Sequence, residues 1–163
     1  MRGLSFIVAG ELFTVDVTLV QMVARKLAVT PVPSAPDEVI GVANLKGRVV
    51  TILSLSELLD SVERIDEGRI LNAIIFKSSS SSEDQMGLAV EKPGNLIDID
   101  DSVIRPPPLT GGVSEGFCIS GIAEADDKIY RIIDLDSIKR KYTASREDIT
   151  ANTLFGGMDN DIS

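Results

Sequence analysis

Asp98, Asp100 and Asp101 form the densest cluster of side chains able to do chemistry. A calcium loop needs ligands at fixed alternating positions, a central glycine and a terminal glutamate, and this segment has neither. Solvated charges at a strand end account for it. Asp126-Asp127 reads as a hairpin turn. Asp159-Asn160-Asp161 is a fragment of a calcium motif two residues from the chain end. Cys118 is the single cysteine, set in the apolar run Phe117-Cys118-Ile119, where a buried inert thiol is the default. With one thiol there is no internal disulfide and no multi-thiolate metal site. The chain has no histidine, which removes imidazole acid–base schemes, His-based nucleophile pairs and His metal sites. Ser78 to Ser82 is low-complexity; G-x-S-x-G, a phosphate loop and a dinucleotide fingerprint are all absent. The residues point to no catalysis, no metal and no cofactor.

Sixteen basic against 25 acidic residues give a net charge of −9, a surface that repels nucleic acid phosphates. No run of 18 apolar residues spans a membrane, and Met1 to Val8 lacks a signal-peptide cleavage site. A cytoplasmic protein is the simplest expectation. What remains is docking. Gly41-Val42-Ala43-Asn44-Leu45-Lys46-Gly47 puts one cation at a tight turn beside apolar residues, either a solvated hairpin lysine or a charged anchor at the rim of a contact patch.

The elements that position these residues are mostly strands. Leu4 to Ala9 and Leu12 to Val17 form a hairpin about Gly10. Leu19 to Val29 is an extended or bent strand. Pro31, Pro33 and Pro36 exclude a helix or central strand, while Ser34 to Gly41 has room for one helical turn. Val42 to Leu45 and Arg48 to Leu53 make a second hairpin. Ser54 to Leu59 is a short helix capped by Ser54 or Ser56. Beyond the charged connector Asp60–Arg69, strands fall at Ile70–Phe76 and Met86–Val90, with the serine run as a mobile tip. Further strands fall at Leu96–Ile99, Phe117–Ile122 and Ile129–Leu135, with a loop through Pro106-Pro107-Pro108 and Gly111-Gly112. Asp136–Tyr142 is a short helix with Lys139, Arg140 and Lys141 in its last turn.

A shift of 80 lays position 41 onward on 121 onward without a gap. Gly41 meets Gly121, Ala43 meets Ala123, Ile52 meets Ile132 and Leu55 meets Leu135. Nine of nineteen pairs are identical or conservative, enough to read a duplication. Upstream, Phe13, Val15 and Val17 match Met86, Leu88 and Val90 at a shift of 73. Each half holds about five strands and a short terminal helix. Closure into small barrels removes exposed edges, and two such barrels can share a core that neither could fill alone.

These residues resemble a known family. Leu12 to Gln21 and Thr30 to Pro36 resemble its second strand and proline stretch. Gly41-Val42-Ala43-Asn44-Leu45-Lys46-Gly47-Arg48-Val49-Val50-Thr51-Ile52-Leu53-Ser54-Leu55 is similar to G-V-x-N-L-R-G-x-(V/I)-(V/I)-P-(V/I)-(V/I)-D-L. Gly87 to Val90, Ile104 to Pro108, Gly121-Ile122 and Ile132 to Leu135 continue the pattern in order. The family is that of the CheW-like chemotaxis coupling proteins, and the likeness covers about residues 4–142.

The resemblance implies a mainly β fold of two five-stranded SH3-like barrel subdomains around a shared hydrophobic core, with short helices. It sets a domain at 1–142, with a lobe boundary near 60–70 and room for strand exchange, and a flexible tail at 143–163. It implies an adaptor without catalysis that bridges chemoreceptor cytoplasmic tips and the regulatory domain of a CheA-type histidine kinase. Such a protein is recruited to membrane receptor arrays without inserting. Val20, Lys46 and Leu96 would fall at the receptor groove, and Gly41 and Pro93 nearer the kinase. Lys46 stands for the family arginine, keeping the charge and losing bidentate geometry. Thr51 and Ser54 replace proline and aspartate, and Glu91-Lys92-Pro93-Gly94 replaces V-D-x-V. A pilus-motility or other non-flagellar pathway is the alternative. A small-ligand β-barrel is a further one, which needs a concave pocket with convergent polar groups.

Overall fold

A computed structural model describes residues 1–59, 70–78, 85–107 and 118–143. The connector 60–69, most of the serine run, the loop 108–117 and the tail from 144 lie outside the described residues. Among the described residues ten strands run in chain order: β1 Arg2–Val8, β2 Glu11–Asp16, β3 Val20–Ala28, β4 Val39–Leu45, β5 Arg48–Ser54, β6 Ile70–Phe76, β7 Gln85–Val90, β8 Lys92–Asp98, β9 Ile119–Ala125 and β10 Lys128–Ile133. Helix α1 is Leu55–Leu58, and α2 covers 135–143.

The hairpins follow from their turn residues. Two-residue turns with both φ values positive match the right-handed twist of strands. Ala9-Gly10 has φ of 50° and 74°, Lys46-Gly47 52° and 83°, and Asp126-Asp127 50° and 62°. Helix starts are equally local. Ser54 Oγ accepts from the Glu57 N–H at 3.3 Å, and Asp134 Oδ1 accepts from the Ser137 N–H at 3.2 Å. Ser54 and Asp134 are 80 positions apart, so the duplication extends to the caps.

The strands make two five-stranded curled sheets, ordered β8-β1-β2-β10-β9 in lobe one and β3-β6-β7-β5-β4 in lobe two. The orders correspond strand for strand under the repeat. In each lobe one parallel pair, β2–β10 or β5–β7, joins the hairpins. Each lobe is closed by one extra bridge, Arg105 to Ile122 in the first and Thr30 to Val42 in the second. Residues 60–70 separate the repeats and not the lobes. Lobe two is the continuous stretch β3–β7; lobe one is assembled from β1–β2 and β8–β10. The chain crosses between them at the 3₁₀ turn Val17–Leu19 and at Glu91.

The largest core cluster draws on both lobes: Phe6, Phe13 and Val15 meet Leu53, Phe76 and Leu88, with Leu58 of α1 and Ile138 of α2. The Phe6 and Phe13 rings stack with centroids 5.7 Å apart. Fully buried side chains of this size contribute roughly 2–3 kcal/mol each from transfer alone. Each lobe adds a cluster of its own: Val50, Ile52 and Ile75 in lobe two, and Ile97, Tyr130 and Ile132 in lobe one.

Three expectations are corrected. Ser34–Gly41 holds turns and the start of β4 instead of a helical turn: Ser34 has φ 61°, and the bonds that close there are two separate turns, Ala35 N–H to the Val32 carbonyl and Val39 N–H to the Pro36 carbonyl. The strand expected at Leu96–Ile99 starts at Lys92 and runs through Pro93. Proline is tolerated because β8 is an edge strand, and its register with β1 shifts between Leu4 and Phe6. Strand β9 begins at Ile119, Cys118 being helical.

Candidate docking surface

The aspartate cluster is absorbed by local structure. Asp100 Oδ1 accepts from the Ser102 N–H at 3.0 Å, capping a 3₁₀ turn, and Ser102 holds its carboxyl below the ordinary range. Asp101 lies 3.3 Å from the N-terminal ammonium, and Asp98 3.9 Å from Arg2. Among the described residues no group of three or more His, Cys, Asp or Glu is placed to hold a metal. Cys118 is fully buried, its Sγ 3.9 Å from the Leu58 carbonyl.

Lys46 projects from the β4–β5 turn of lobe two. The turn is fixed by Asn44, whose Oδ1 accepts from the Gly47 N–H at 3.0 Å, and Lys46 is exposed. Gly41 lies on the same strand, about 17 Å away along an extended chain. It is buried, and a side chain there would overlap the backbone of Thr30, so what it contributes is close packing. Val20 opens β3 opposite Phe76; it is half-buried against the shared core, next to the 39 % exposed Leu19.

Leu96 and Pro93 are brought together. Both lie on β8 and line one cavity of about 510 Å³ in lobe one, with Leu12, Lys92, Lys128 and Tyr130. Leu96 is 49 % exposed opposite Leu4, and Pro93 is buried. The groups assigned above to receptor and kinase thus share one cleft on β8, while Lys46 and Gly41 share one hairpin in the other lobe.

Sequence reasoning missed Val49 and Ile129, which are 64 % and 65 % exposed. They are 80 positions apart, on equivalent hairpins. The signal was there: Val49-Val50 and Ile129-Tyr130 each place two apolar residues in succession, so one must face outward. The hairpins differ in charge. Lys46 and Arg48 flank the first; Glu124, Asp126 and Asp127 dominate the second.

Comparison with known proteins agrees with this architecture. The CheW-like domain family matches residues 2–142. The chemotaxis protein CheW of Rhizobium meliloti (strain 1021) is 27 % identical over 135 residues, covering 83 % of this chain and 84 % of that one. The CheW of Thermotoga maritima is 27 % identical over 142 residues, covering 86 % and 88 %. The crystal structure of the scaffolding protein TtCheW from Thermoanaerobacter tengcongensis superposes with a TM-score of 0.70 at 27 % identity, over 82 % of this chain and 88 % of that one.

Proposed function

The chain belongs to the CheW-like domain family, a family of chemotaxis coupling and scaffolding proteins, and on that premise we propose that it couples chemoreceptor cytoplasmic tips to the regulatory domain of a CheA-type histidine kinase. It does so by docking alone, in the cytoplasm, at membrane-bound receptor arrays. The observation that carries the reading is the family match across the whole described fold. Three features support it. Lys46 stands exposed on a rigid turn, where a cation can anchor a partner without reordering the backbone. Leu19 and Leu96 expose apolar surface near the half-buried Val20 and the cleft. Val49 and Ile129 offer one outward apolar contact on each lobe, the kind of anchor that partners bury. Among the described residues no helix is long and apolar enough to cross a membrane, so recruitment would run through partners. Transient signalling contacts of roughly 1,000 Å² suit such surfaces.

The test is capture of the kinase regulatory domain and of a receptor cytoplasmic fragment by the purified full chain. The proposal expects both to be retained, and to be retained together on one adaptor. Retention of neither, with the adaptor folded, overturns it.

A further inference from the structure

The two lobes are not filled alike. Under the repeat, Val15 of β2 matches Leu88 of β7. Their strand partners are Leu4 and Ile74, so the next pair, Ser5 opposite Thr14, corresponds to Ile75 opposite Gly87. In lobe two, Ile75 is fully buried in the barrel interior and its Cδ1 takes the space over Gly87. In lobe one the same position carries Ser5. Its hydroxyl turns to the edge strand, donating to the Asn95 carbonyl and accepting from the Asn95 N–H, both at 3.0 Å. Across that pair lobe two carries one apolar side chain over a glycine, whereas lobe one carries two hydroxyls, Ser5 and the buried Thr14, and Ser5 lines a cavity of about 510 Å³ there.

The cavity's lining combines apolar and charged residues: Leu12, Leu96, Ile97 and Tyr130, with Lys92 and Lys128. Its volume falls within the range of ligand pockets, which occur in the mouths of β-barrels. The two ammonium groups outnumber the one lining carboxylate, Asp126, on a chain of net charge −9. Among the described residues neither lysine forms an ion pair. An anionic head placed there gains charge-assisted hydrogen bonds from lysines that are already solvated, at little desolvation cost.

We propose that this lobe-one cleft binds a small amphiphilic carboxylate, its head at Lys92 and Lys128 and its apolar body against Leu12, Leu96 and Tyr130. The site is independent of the docking reading, and would let a metabolite act on an adaptor at the strand that also bears Pro93 and Leu96.

The test titrates decanoate, below its micellar range, into the full chain, read by calorimetry and by amide chemical shifts. The proposal expects saturable one-site binding with shifts at Leu96, Lys128 and Tyr130. Decanol should bind at least tenfold more weakly. Lys92→Glu combined with Lys128→Glu should lower decanoate affinity at least tenfold, and Asp126→Asn should leave it equal or tighter. Ser5→Ile, which adds bulk at the cavity wall, should weaken binding; because it also removes the Asn95 hydrogen bonds, the lysine variants carry the test if it does not fold. Absence of saturation at millimolar decanoate, equal binding of decanol, shifts confined to other surfaces, or no effect of the lysine reversals overturns the proposal. Binding of an acidic protein segment at the cleft with no decanoate binding overturns it too.

Discussion

Gly41 lies so close beneath the carbonyl of Thr30 that a methyl group on it would stand 2.7 Å from the carbonyl carbon. The approach exists because Thr30 and Val42 exchange two backbone hydrogen bonds of 2.8 and 2.9 Å, the bridge that closes lobe two. Gly121 repeats it beneath Arg105, 2.9 Å from that carbonyl oxygen. Gly41→Ala should therefore cost about 3 kcal/mol by overpacking against backbone that cannot turn aside. Urea unfolding measures this. Loss of kinase capture should follow the folded fraction. A fully stable Gly41→Ala protein that fails to bind would reassign Gly41 to direct contact.

Lys46 occupies the left-handed region at φ 52°, which costs a side chain about 1 kcal/mol relative to residues that tolerate it. Lys46→Asn removes the charge and relieves the backbone. It should raise stability by up to about 1 kcal/mol while weakening receptor capture, and Lys46→Glu should weaken capture further. A melt paired with a pull-down separates the two effects. Unchanged capture by both variants would remove Lys46 from the receptor face.

Val49 and Ile129 point outward and give the core nothing. Val49→Asp and Ile129→Asp should each change stability by no more than about 0.5 kcal/mol. Each should weaken a partner complex about tenfold, if those side chains become buried anchors. Equilibrium binding of each variant to the kinase regulatory domain and to the receptor fragment assigns one lobe to one partner. No change for either would show that the exposed pair is idle.

The titration of Asp100 is bent by local structure. The Ser102 backbone N–H, then its hydroxyl, favour the charged form and pull the pKa down. A depressed carboxyl adds stability above its unfolded value, near pH 4. That contribution disappears as pH falls through the lowered native value. Asp100→Asn should therefore flatten the acid limb of the stability profile below about pH 4 and leave neutral stability nearly unchanged. Unfolding curves at several pH values test it; identical slopes for both proteins would count against the cap.

Much of this was legible because its causes are local. Positive-φ turns at Gly10 and Gly47, the Ser54 cap and the alternation of Phe13, Val15 and Val17 are each decided within a few residues. The repeat then brought long-range information, matching Gly41 to Gly121 and Val49 to Ile129. What stayed hidden depends on neighbours far along the chain. No local pattern announces that Ile132 pairs parallel with Thr14, or that Ser5 anchors Asn95. The pair Ser5 and Thr14 stands where lobe two has Ile75 and Gly87, a difference whose meaning needs the register of both hairpins. Nor does any local pattern announce that Pro93 sits in an edge strand, where proline is tolerated.

The seam between β2 and β10 also sets a timetable for biogenesis. Glu11 and Arg131, ion-paired at 2.6 Å across it, are 120 positions apart. At ribosomal speeds the first hairpin waits roughly 10 s for β10, its β2 edge unpaired. The continuous middle lobe is finished first and can serve as the platform on which that hairpin rests. A newborn chain thus passes through a half-made stage that is prone to clumping. Pausing translation before Lys128 should prolong that stage and make the nascent protein depend on chaperones.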